Sequence, residues 1–239
     1  MRRLLIALLL GFSSMATAEA PRIAIIIDDL GYHRANGERA LRLPGTVSFS
    51  FLTGGPSSRL LAEQAHELGR DVLLHLPLQA HQDAARAEPS EIHIDMSRVR
   101  VGAVFDDALA AVPHVIGVNG HRGSLLTRHP GQMQWLMEEI RQQGNLFFID
   151  SFTHHESVAL QIARENGVPA IKRDVFLDPD RSRDTVAREF ERMKKLAMER
   201  GQVVVIGHPH PETLDLLEQQ LPQLAAEGFE LVNVRDLLP

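Results

Sequence analysis

Two adjacent carboxylates, Asp28 and Asp29, directly follow the apolar run Ile23–Ile27. Adjacent residues that leave a strand point in different directions, so one carboxylate can bind a cation while the other moves a proton. A helix cap or an Asx-turn before Gly31 is the alternative interpretation of the pair. The uninterrupted apolar run that precedes the pair favours the functional interpretation.

Two histidines offer further ligands for a cation. His75 interrupts the otherwise apolar sequence Leu-Leu-His-Leu-Pro, where a lone histidine is more often a buried core residue. His121 lies in the glycine-containing stretch 117–124, which either lets the backbone approach a ligand or forms a simple turn. One carboxylate with two imidazoles leaves coordination positions open, as in catalytic zinc sites, so bound water can attack a carbonyl. We therefore predict a divalent metal, zinc first, with cobalt, manganese and nickel as alternatives.

Other polar residues at the ends of apolar runs are candidates for supporting roles. His208 stands just before a predicted helix and is suited to general acid chemistry, because the pKa of an imidazole lies near the working pH. The alternative for His208 is a turn residue beside prolines. Five residues are predicted to bind substrate or to orient the catalytic groups: Asn119, Ser124, Asp150, Arg173 and Asp174.

Short β-branched or apolar runs alternate with amphipathic stretches, which is the pattern of βα units in a parallel sheet. In a parallel barrel the strand ends converge on one mouth, so polar residues far apart in sequence would meet there. The predicted strands are Ile23–Ile27, Val47–Leu52, Val72–Leu76, Val115–Val118, Leu146–Ile149, Ala170–Arg173 and Val203–Ile206, with an eighth candidate at Phe229–Val234. The predicted helices are Ser57–Leu68, Ser97–Ala111, Pro130–Gly144, Glu156–Asn166, Asp184–Arg200 and one that begins at Pro211.

The length of 239 residues suits a single α/β barrel, and no linker or charge block divides the chain. We predict one domain over residues 21–239, a distorted (β/α)7-type barrel of parallel strands. Cysteine is absent, which excludes disulfides and thiolate metal sites. The net charge of −6 without a basic run makes nucleic acid a poor partner.

Residues 1–20 have the pattern of an export signal. Arg2 and Arg3 give a positive start, Leu4–Leu10 a short apolar stretch, and Ala16–Ala18 a small-residue cleavage site. A transmembrane helix needs about 20 apolar residues, so this run favours a cleaved signal over an anchor. We expect a periplasmic or secreted protein without a membrane span after cleavage.

The segment Ile25–Tyr32 resembles the first motif of the polysaccharide deacetylase superfamily, in particular its divergent branch of exported proteins. The resemblance implies a polysaccharide deacetylase barrel in which Asp28 is the catalytic base and Asp29 a metal ligand. Other segments resemble the divergent branch as well: Asn119–Ser124, Phe148–Ser151 and Arg173–Asp178.

Two later motifs extend the resemblance. The run Gly69–His75 resembles the approach to the second motif and implies that His75 is a metal ligand, while Ile206–His208 resembles the last motif, whose histidine protonates the leaving group. The sequence also departs from the family. Gln79 stands where a second metal histidine is usual, and the Arg-Pro-aromatic motif of strand four is missing. We predict that His121 replaces the missing ligand.

The first functional hypothesis is a metal-dependent hydrolase that removes acetyl groups from an N-acetylated glycan of the cell envelope. In it Asp29, His75 and His121 hold the ion, Asp28 deprotonates water, and His208 protonates the departing amine. A second hypothesis is a periplasmic binding or scaffold protein that kept the barrel and lost turnover. A third is a hydrolase of another amide or ester. The sequence identifies no protein partner.

Overall fold

Short strands and amphipathic helices alternate along the chain, which the computed structural model describes over residues 19–81, 88 and 90–239. The predicted signal at residues 1–20 lies outside the described residues, apart from its last two. The strands are β1 (Arg22–Leu30), β2 (Ser48–Leu52), β3 (Val72–Leu78), β4 (Val115–Arg122), β5 (Phe147–Asp150), β6 (Ala170–Lys172), β7 (Val175–Phe176), β8 (Gln202–Gly207) and β9 (Glu230–Leu231). The helices are α1 (Arg34–Leu41), α2 (Ser58–Glu67), α3 (Arg98–Ala111), α4 (Pro130–Gln142), α5 (Ala159–Glu165), α6 (Arg183–Arg200) and α7 (Pro211–Leu224).

All the strands belong to one parallel sheet with the order β6-β5-β4-β3-β2-β1-β8-β7, and β9 pairs with the start of β1. Although β6 and β7 are consecutive in the chain, they occupy opposite ends of this order. The sheet therefore curls into a barrel that stays open between β6 and β7. The predicted distorted parallel β/α barrel is confirmed.

Alternation along the strands divides the apolar residues between two cores. On β1, Ile23, Ile25 and Ile27 belong to the large core under the helices, whereas Ala24 and Ile26 belong to a smaller core inside the curled sheet. Since side chains alternate with a period of two, the inward series on β1 continues to Asp28.

The same period carries the other polar residues to the inner face. Leu73 of β3 and Ile206 of β8 belong to the inner core. Two residues further on, His75 and His208 therefore face the same inner side, His75 within β3 and His208 just after the end of β8. The register pairs His75 with Asn119 on β4. The sheet thus collects these side chains above the small inner core, at the carboxyl ends of the strands, here called the mouth.

Helix α6 has the amphipathic pattern that the sequence predicts. Val186, Phe190 and Met193 are buried on one face. The hydroxyl of Ser182 accepts a hydrogen bond from the Thr185 amide at the helix start, and the last turn ends in a left-handed glycine. No helix in the described part of the chain is long and apolar enough to cross a membrane.

Two elements were not predicted. Helix α1 has no strong apolar periodicity, and it contains Gly37, where an added Cβ would come within 2.5 Å of a Leu61 methyl. Strand β7 has only two residues. The eighth strand candidate is also shorter than predicted, because β9 covers only Glu230–Leu231 and a 3-10 helix follows at Val234–Leu237.

Candidate active site

The end of β1 is irregular, and this irregularity brings both carboxylates to the mouth. The pairing of β1 with β2 shifts register between Ile27 and Leu30, and Asp29 has a φ of 57°. In a regular strand Asp28 and Asp29 would point to opposite faces. Here an oxygen of each lies near the same His75 Nε2, at 3.6 Å from Asp28 and 3.1 Å from Asp29. Aspartate tolerates a left-handed backbone better than most residues, which makes this geometry accessible.

Three potential ligand atoms form a nearly equilateral triangle. Asp29 Oδ1 lies 3.1 Å from His75 Nε2 and 2.9 Å from His121 Nδ1, and the two nitrogens are 3.2 Å apart. Metal–ligand bonds of roughly 2.0–2.2 Å place neighbouring ligand atoms roughly 3 Å apart. Asp29 Oδ1 is also buried without an aligned hydrogen-bond donor. The donor set and this orphaned oxygen both fit a divalent cation.

Asn119 connects the triangle to Asp28. It is fully buried, and its Nδ2 donates to both oxygens of Asp28 at 2.9 and 3.0 Å. Its Oδ1 accepts from Ser50 Oγ at 2.5 Å and lies 2.9 Å from His75 Nδ1. Because an amide oxygen can only accept, His75 carries its proton on Nδ1, and its Nε2 lone pair faces Asp29. The Asn119 side chain thus holds Asp28, the candidate base, in place and sets the tautomer of His75, a candidate metal ligand.

Glu88 supports His121 from the loop after β3. Its Oε1 lies 2.9 Å from His121 Nε2, which leaves His121 Nδ1 directed at the triangle. Burial lowers the pKa of His121, but Asp29 and Glu88 outweigh it and raise that pKa to about 9. The hydrogen bond to His121 lowers the pKa of Glu88. Carboxylates that accept from a ligand histidine orient the ring and strengthen metal binding. Glu88 was not among the predicted site residues, because it lies in a polar loop without periodicity.

Asp178 orients His208 from the segment after β7. The Asp178 side chain is fully buried and has three partners, namely His208 Nδ1 at 2.8 Å, the His208 amide at 2.7 Å and Thr213 Oγ1 at 2.8 Å. Burial lowers the pKa of His208, but the hydrogen bond and charge of Asp178 outweigh it and raise that pKa to about 9. His208 Nε2 points toward the cluster, 3.8 Å from Asp29 Oδ2. Asp178 was not among the predicted site residues, although it ends the segment Arg173–Asp178.

The two neighbouring carboxylates differ electrostatically. Burial raises the pKa of Asp28, and the nearby imidazoles of His75 and His208 and the hydrogen bond from Asn119 offset this only in part. Burial also acts on Asp29, but its contacts with His121 and His75 hold its pKa well below the usual range. Asp29 is therefore the firmly ionised carboxylate, as a ligand requires, and Asp28 is the better proton acceptor near neutral pH.

Two cavities flank the triangle. One of about 300 Å³ adjoins Asp28 and His208 and includes Phe176 and Ile206 in its walls. The other, of about 380 Å³, lies beyond Asp29 and His121 and includes Tyr32. Tyr32 is 44% exposed, so its ring is available at the rim of this second cavity. The triangle therefore lies between two cavities in the mouth of the barrel.

Asp150 and Arg173 support the wall of the first cavity. Asp150 accepts from the Phe152 amide and from Ser157 Oγ, both at 2.8 Å, and so fixes the loop after β5. Arg173 lines the cavity and donates to the carbonyls of Ser151 and Phe152 at 2.6 and 3.0 Å. The structure brings both residues to the site, Asp150 through the loop and Arg173 directly.

Asp174 and Ser124 are not brought to the cluster. Asp174 accepts from the Val204 amide at 2.9 Å and from Arg200 at 3.1 Å, level with the middle of β8 rather than with its end. Ser124 accepts from the His81 amide at 3.0 Å in the loop after β4. The oxygens of both side chains are thus engaged in local contacts away from the triangle, and their role in the site stays a prediction.

Gln79 and a second group with metal-ligand spacing lie apart from the triangle. The Gln79 side chain accepts from the Ile94 amide at 2.9 Å, so it anchors the loop after β3. His154, His155 and Glu156 form a second group with metal-ligand spacing, but it lies in the largely exposed loop after β5. A third such group, Asp178, His208 and His210, is built around His208 itself, whose Nδ1 is already paired with Asp178 at 2.8 Å.

Comparison with known proteins identifies relatives over almost the whole chain. The model of the family "Divergent polysaccharide deacetylase" matches residues 25–238. The chain is 35% identical over 233 residues to the uncharacterized protein YibQ of Escherichia coli K12, which covers 96% of this chain and 72% of that protein. It is 34% identical over 226 residues to an uncharacterized protein of Haemophilus influenzae, which covers 95% of this chain and 79% of that one.

Solved structures share the fold. The uncharacterized protein ATU2773 of Agrobacterium tumefaciens C58 has a TM-score of 0.88 at 22% identity, over 92% of this chain and 90% of that one. The CE4 family pseudoenzyme BA3943 of Bacillus anthracis has a TM-score of 0.56 at 13% identity, and the match covers 91% of this chain and 65% of that one. The peptidoglycan deacetylase Bd3279 of Bdellovibrio bacteriovorus has a TM-score of 0.55 at 12% identity, and the match covers 90% of this chain and 52% of that one. The family match over residues 25–238 confirms the resemblance of the motifs, and the chain belongs to the divergent polysaccharide deacetylase family.

Proposed function

We propose that this protein is a metal-dependent hydrolase that removes acetyl groups from an N-acetylated glycan of the cell envelope. The observation that carries the proposal is the triangle of Asp29 Oδ1, His75 Nε2 and His121 Nδ1, with sides of 2.9–3.2 Å. Asp28 and His208 border the cavity beside this triangle. A cation site between a proton acceptor and a proton donor suits hydrolysis of an amide.

Asp29, His75 and His121 would hold a divalent ion, zinc by its preference for imidazole and carboxylate ligands. Such an ion supplies Lewis-acid polarisation of the acetyl carbonyl and a lowered pKa of bound water. Asn119 keeps the His75 lone pair on Nε2, and Glu88 keeps the His121 Nδ1 directed inward. The two ligand histidines are therefore oriented by neighbouring hydrogen bonds before any ion binds.

Asp28 is the proton acceptor for the attacking water. Its two oxygens are held by the Asn119 amide, and burial raises its pKa, which brings it closer to the working pH. A general base is most effective when its pKa lies near the operating pH. Asp28 takes the proton from water as the oxygen attacks the acetyl carbon.

His208 is the proton donor for the leaving amine. With a pKa of about 9 it is protonated at neutral pH, and Asp178 at 2.8 Å holds its Nδ1 proton. His208 Nε2 then gives its proton to the amine nitrogen as the carbon–nitrogen bond breaks. Acetate and the free amino sugar are the products.

A glycan substrate is supported by the family and by the two cavities on either side of the triangle. The exposed Tyr32 ring offers a surface on which a sugar can stack. Export of the protein follows from the signal pattern in residues 1–20 and remains our proposal. Cell fractionation of the full chain and of a variant without residues 1–20 tests it, and equal retention in the cytoplasm would contradict it.

The activity is tested by metal analysis of the purified protein, followed by acetate release from N-acetylated chito-oligosaccharides and from peptidoglycan fragments. Asp28→Asn and His208→Gln each remove one proton-transfer group, and each should lower kcat about 10²- to 10⁴-fold. His155→Gln, at an exposed histidine of the loop after β5, is the matched control. Full metal occupancy without acetate release from either substrate would reject the proposal.

A binding protein without turnover is the second candidate, favoured by Gln79 in place of the usual second histidine and by a pseudoenzyme of the same fold. The complete triangle beside Asp28 and His208 favours the enzyme. Complementation of a strain that lacks the protein separates the two, since Asp28→Asn would keep cellular function only if turnover is dispensable.

A further inference from the structure

Arg173 is rigidly held at the opening of the barrel, between β6 and β7, and it lines the cavity of about 300 Å³. Its Nε and Nη2 donate to the carbonyls of Ser151 and Phe152 at 2.6 and 3.0 Å. Its guanidinium carbon lies 4.9 Å from the centre of the Phe176 ring. These contacts fix the plane of the guanidinium, and Nη1 has no protein acceptor among the described residues.

This guanidinium lacks a close counter-ion. Within the described ranges no carboxylate lies at ion-pair distance from Arg173, whereas Arg39 pairs with both Asp215 and Glu218. Burial lowers the pKa of Arg173, and the charge of Asp28, from a longer distance, only partly offsets it. Since a guanidinium stays protonated in proteins, the chain keeps a half-buried cation without an ionic partner. Holding such a charge is unfavourable until an anion approaches it.

The surrounding wall is suited to an anion. Arg122, Ser151 and Thr153 also line this cavity, where the Thr153 hydroxyl donates to the Arg122 carbonyl at 2.6 Å. The acidic residue of the cavity, Asp28, is already engaged by Asn119. A fixed guanidinium binds carboxylate and phosphate oxygens with directional, charge-assisted hydrogen bonds.

We propose that Arg173 binds an anionic oxygen group, a carboxylate or a phosphate, that is carried by the acetylated sugar. The substrate is then an acidic N-acetylated glycan rather than a neutral one. This inference rests on the proposed function for its reaction, but it makes a separate claim about recognition.

Equilibrium binding tests the claim without turnover. Calorimetry on metal-depleted protein compares neutral N,N′-diacetylchitobiose with the N-acetylglucosamine–N-acetylmuramic acid disaccharide, which adds a carboxylate, and with N-acetylglucosamine 6-phosphate. We expect at least one acidic ligand to bind about 10- to 100-fold more tightly than the neutral disaccharide, the range for a hydrogen-bonded charge. Whichever of the two acidic ligands binds more tightly shows whether Arg173 prefers a carboxylate or a phosphate. Equal affinity for all three ligands would overturn the inference.

Variants assign any preference to Arg173. Arg173→Gln should abolish it, Arg173→Lys should keep part of it, and Arg164→Gln, which removes a charge from the exposed face of α5, should leave it unchanged. If Arg173 only fastens the loop, Arg173→Gln will weaken neutral and acidic ligands equally, and the inference is wrong. The wild-type comparison decides the matter even if Arg173→Gln does not fold.

The two proposals fail in different ways. Selective binding of an acidic ligand without acetate release would reject the hydrolase and leave the anion site in place. Acetate release from neutral and acidic substrates at equal kcat/KM, with equal binding, would keep the hydrolase and reject the anion site.

Discussion

Replacing Asn119 by aspartate changes one donor group in the centre of the site. Asn119 Nδ2 lies 2.9 and 3.0 Å from the two oxygens of Asp28, and Asn119→Asp puts a second carboxylate oxygen there. The side-chain oxygen that faces His75 and Ser50 is kept, so packing and those two contacts are unchanged. The variant therefore changes the interaction between Asn119 and Asp28 and one longer contact, 3.4 Å from Nδ2 to Ser151 Oγ.

The expected loss follows from electrostatics. Two negative charges about 3 Å apart repel by about 5 kcal/mol at an effective dielectric constant of 20. Protonating one carboxyl at pH 7, from an unfolded pKa of about 3.9, costs about 4 kcal/mol, so the pair takes up a proton instead. We expect Asn119→Asp to lower the free energy of unfolding by about 4 kcal/mol at pH 7. That loss is a large part of the stability of a typical domain.

The pH dependence gives the sign of the effect. The folded pKa of the pair is raised above its unfolded value, so the penalty grows as the pH rises from about 4 toward that folded pKa. At pH 5 the loss should therefore shrink to about 1.5 kcal/mol. Urea unfolding of metal-depleted protein at both pH values measures it, with Asn145→Asp at an exposed turn as the matched control. A loss below about 1 kcal/mol at pH 7, or one that does not shrink at pH 5, would refute the geometry.

Three further predictions concern the groups around the site. Glu88→Gln should weaken zinc binding about 10- to 100-fold, because a neutral amide polarises the ligand imidazole less than a carboxylate; calorimetric titration measures this, and unchanged affinity would exclude the supporting role. In metal-depleted protein, the stabilisation from His208, whose pKa is about 9, is complete below about pH 6.5 and is lost between there and pH 9. Asp178→Asn should flatten this decline in unfolding free energy, and an unaltered slope would contradict the pairing. Gly31→Ala should destabilise the fold by about 2–4 kcal/mol in urea unfolding, because φ is +128° and the added Cβ would lie 1.9 Å from a serine oxygen; a loss under 1 kcal/mol would show that the turn after β1 can relax.

Much of the fold and the centre of the site could be predicted from the sequence. Parallel strands that end in polar residues place those residues at one mouth. This pattern predicts that Asp28, His75 and His208 lie together although they are far apart in the chain, and in the structure they do. The replacement of the usual ligand at Gln79 by His121 is an inference from strand order, and the 3.2 Å between the His75 and His121 nitrogens is consistent with it.

The remaining features depend on backbone detail and loops. No periodicity indicates the register shift at β1 or the positive φ of Asp29, which together turn two adjacent carboxylates toward one imidazole. Glu88 and Asp178 act from segments without a regular pattern, so only their contacts reveal them. Asp174 also follows a strand, but its carboxylate accepts from the Val204 amide of β8, a contact that no sequence pattern indicates.

The most direct test of the metal site is anomalous diffraction at the zinc edge from crystals of the zinc-loaded protein. We predict a peak within roughly 2.0–2.2 Å of Asp29 Oδ1, His75 Nε2 and His121 Nδ1. A zinc-loaded protein whose peak lies only at His154, His155 and Glu156, with the Asp29 carboxylate turned away from both imidazoles, would contradict the metal site and the hydrolase built on it.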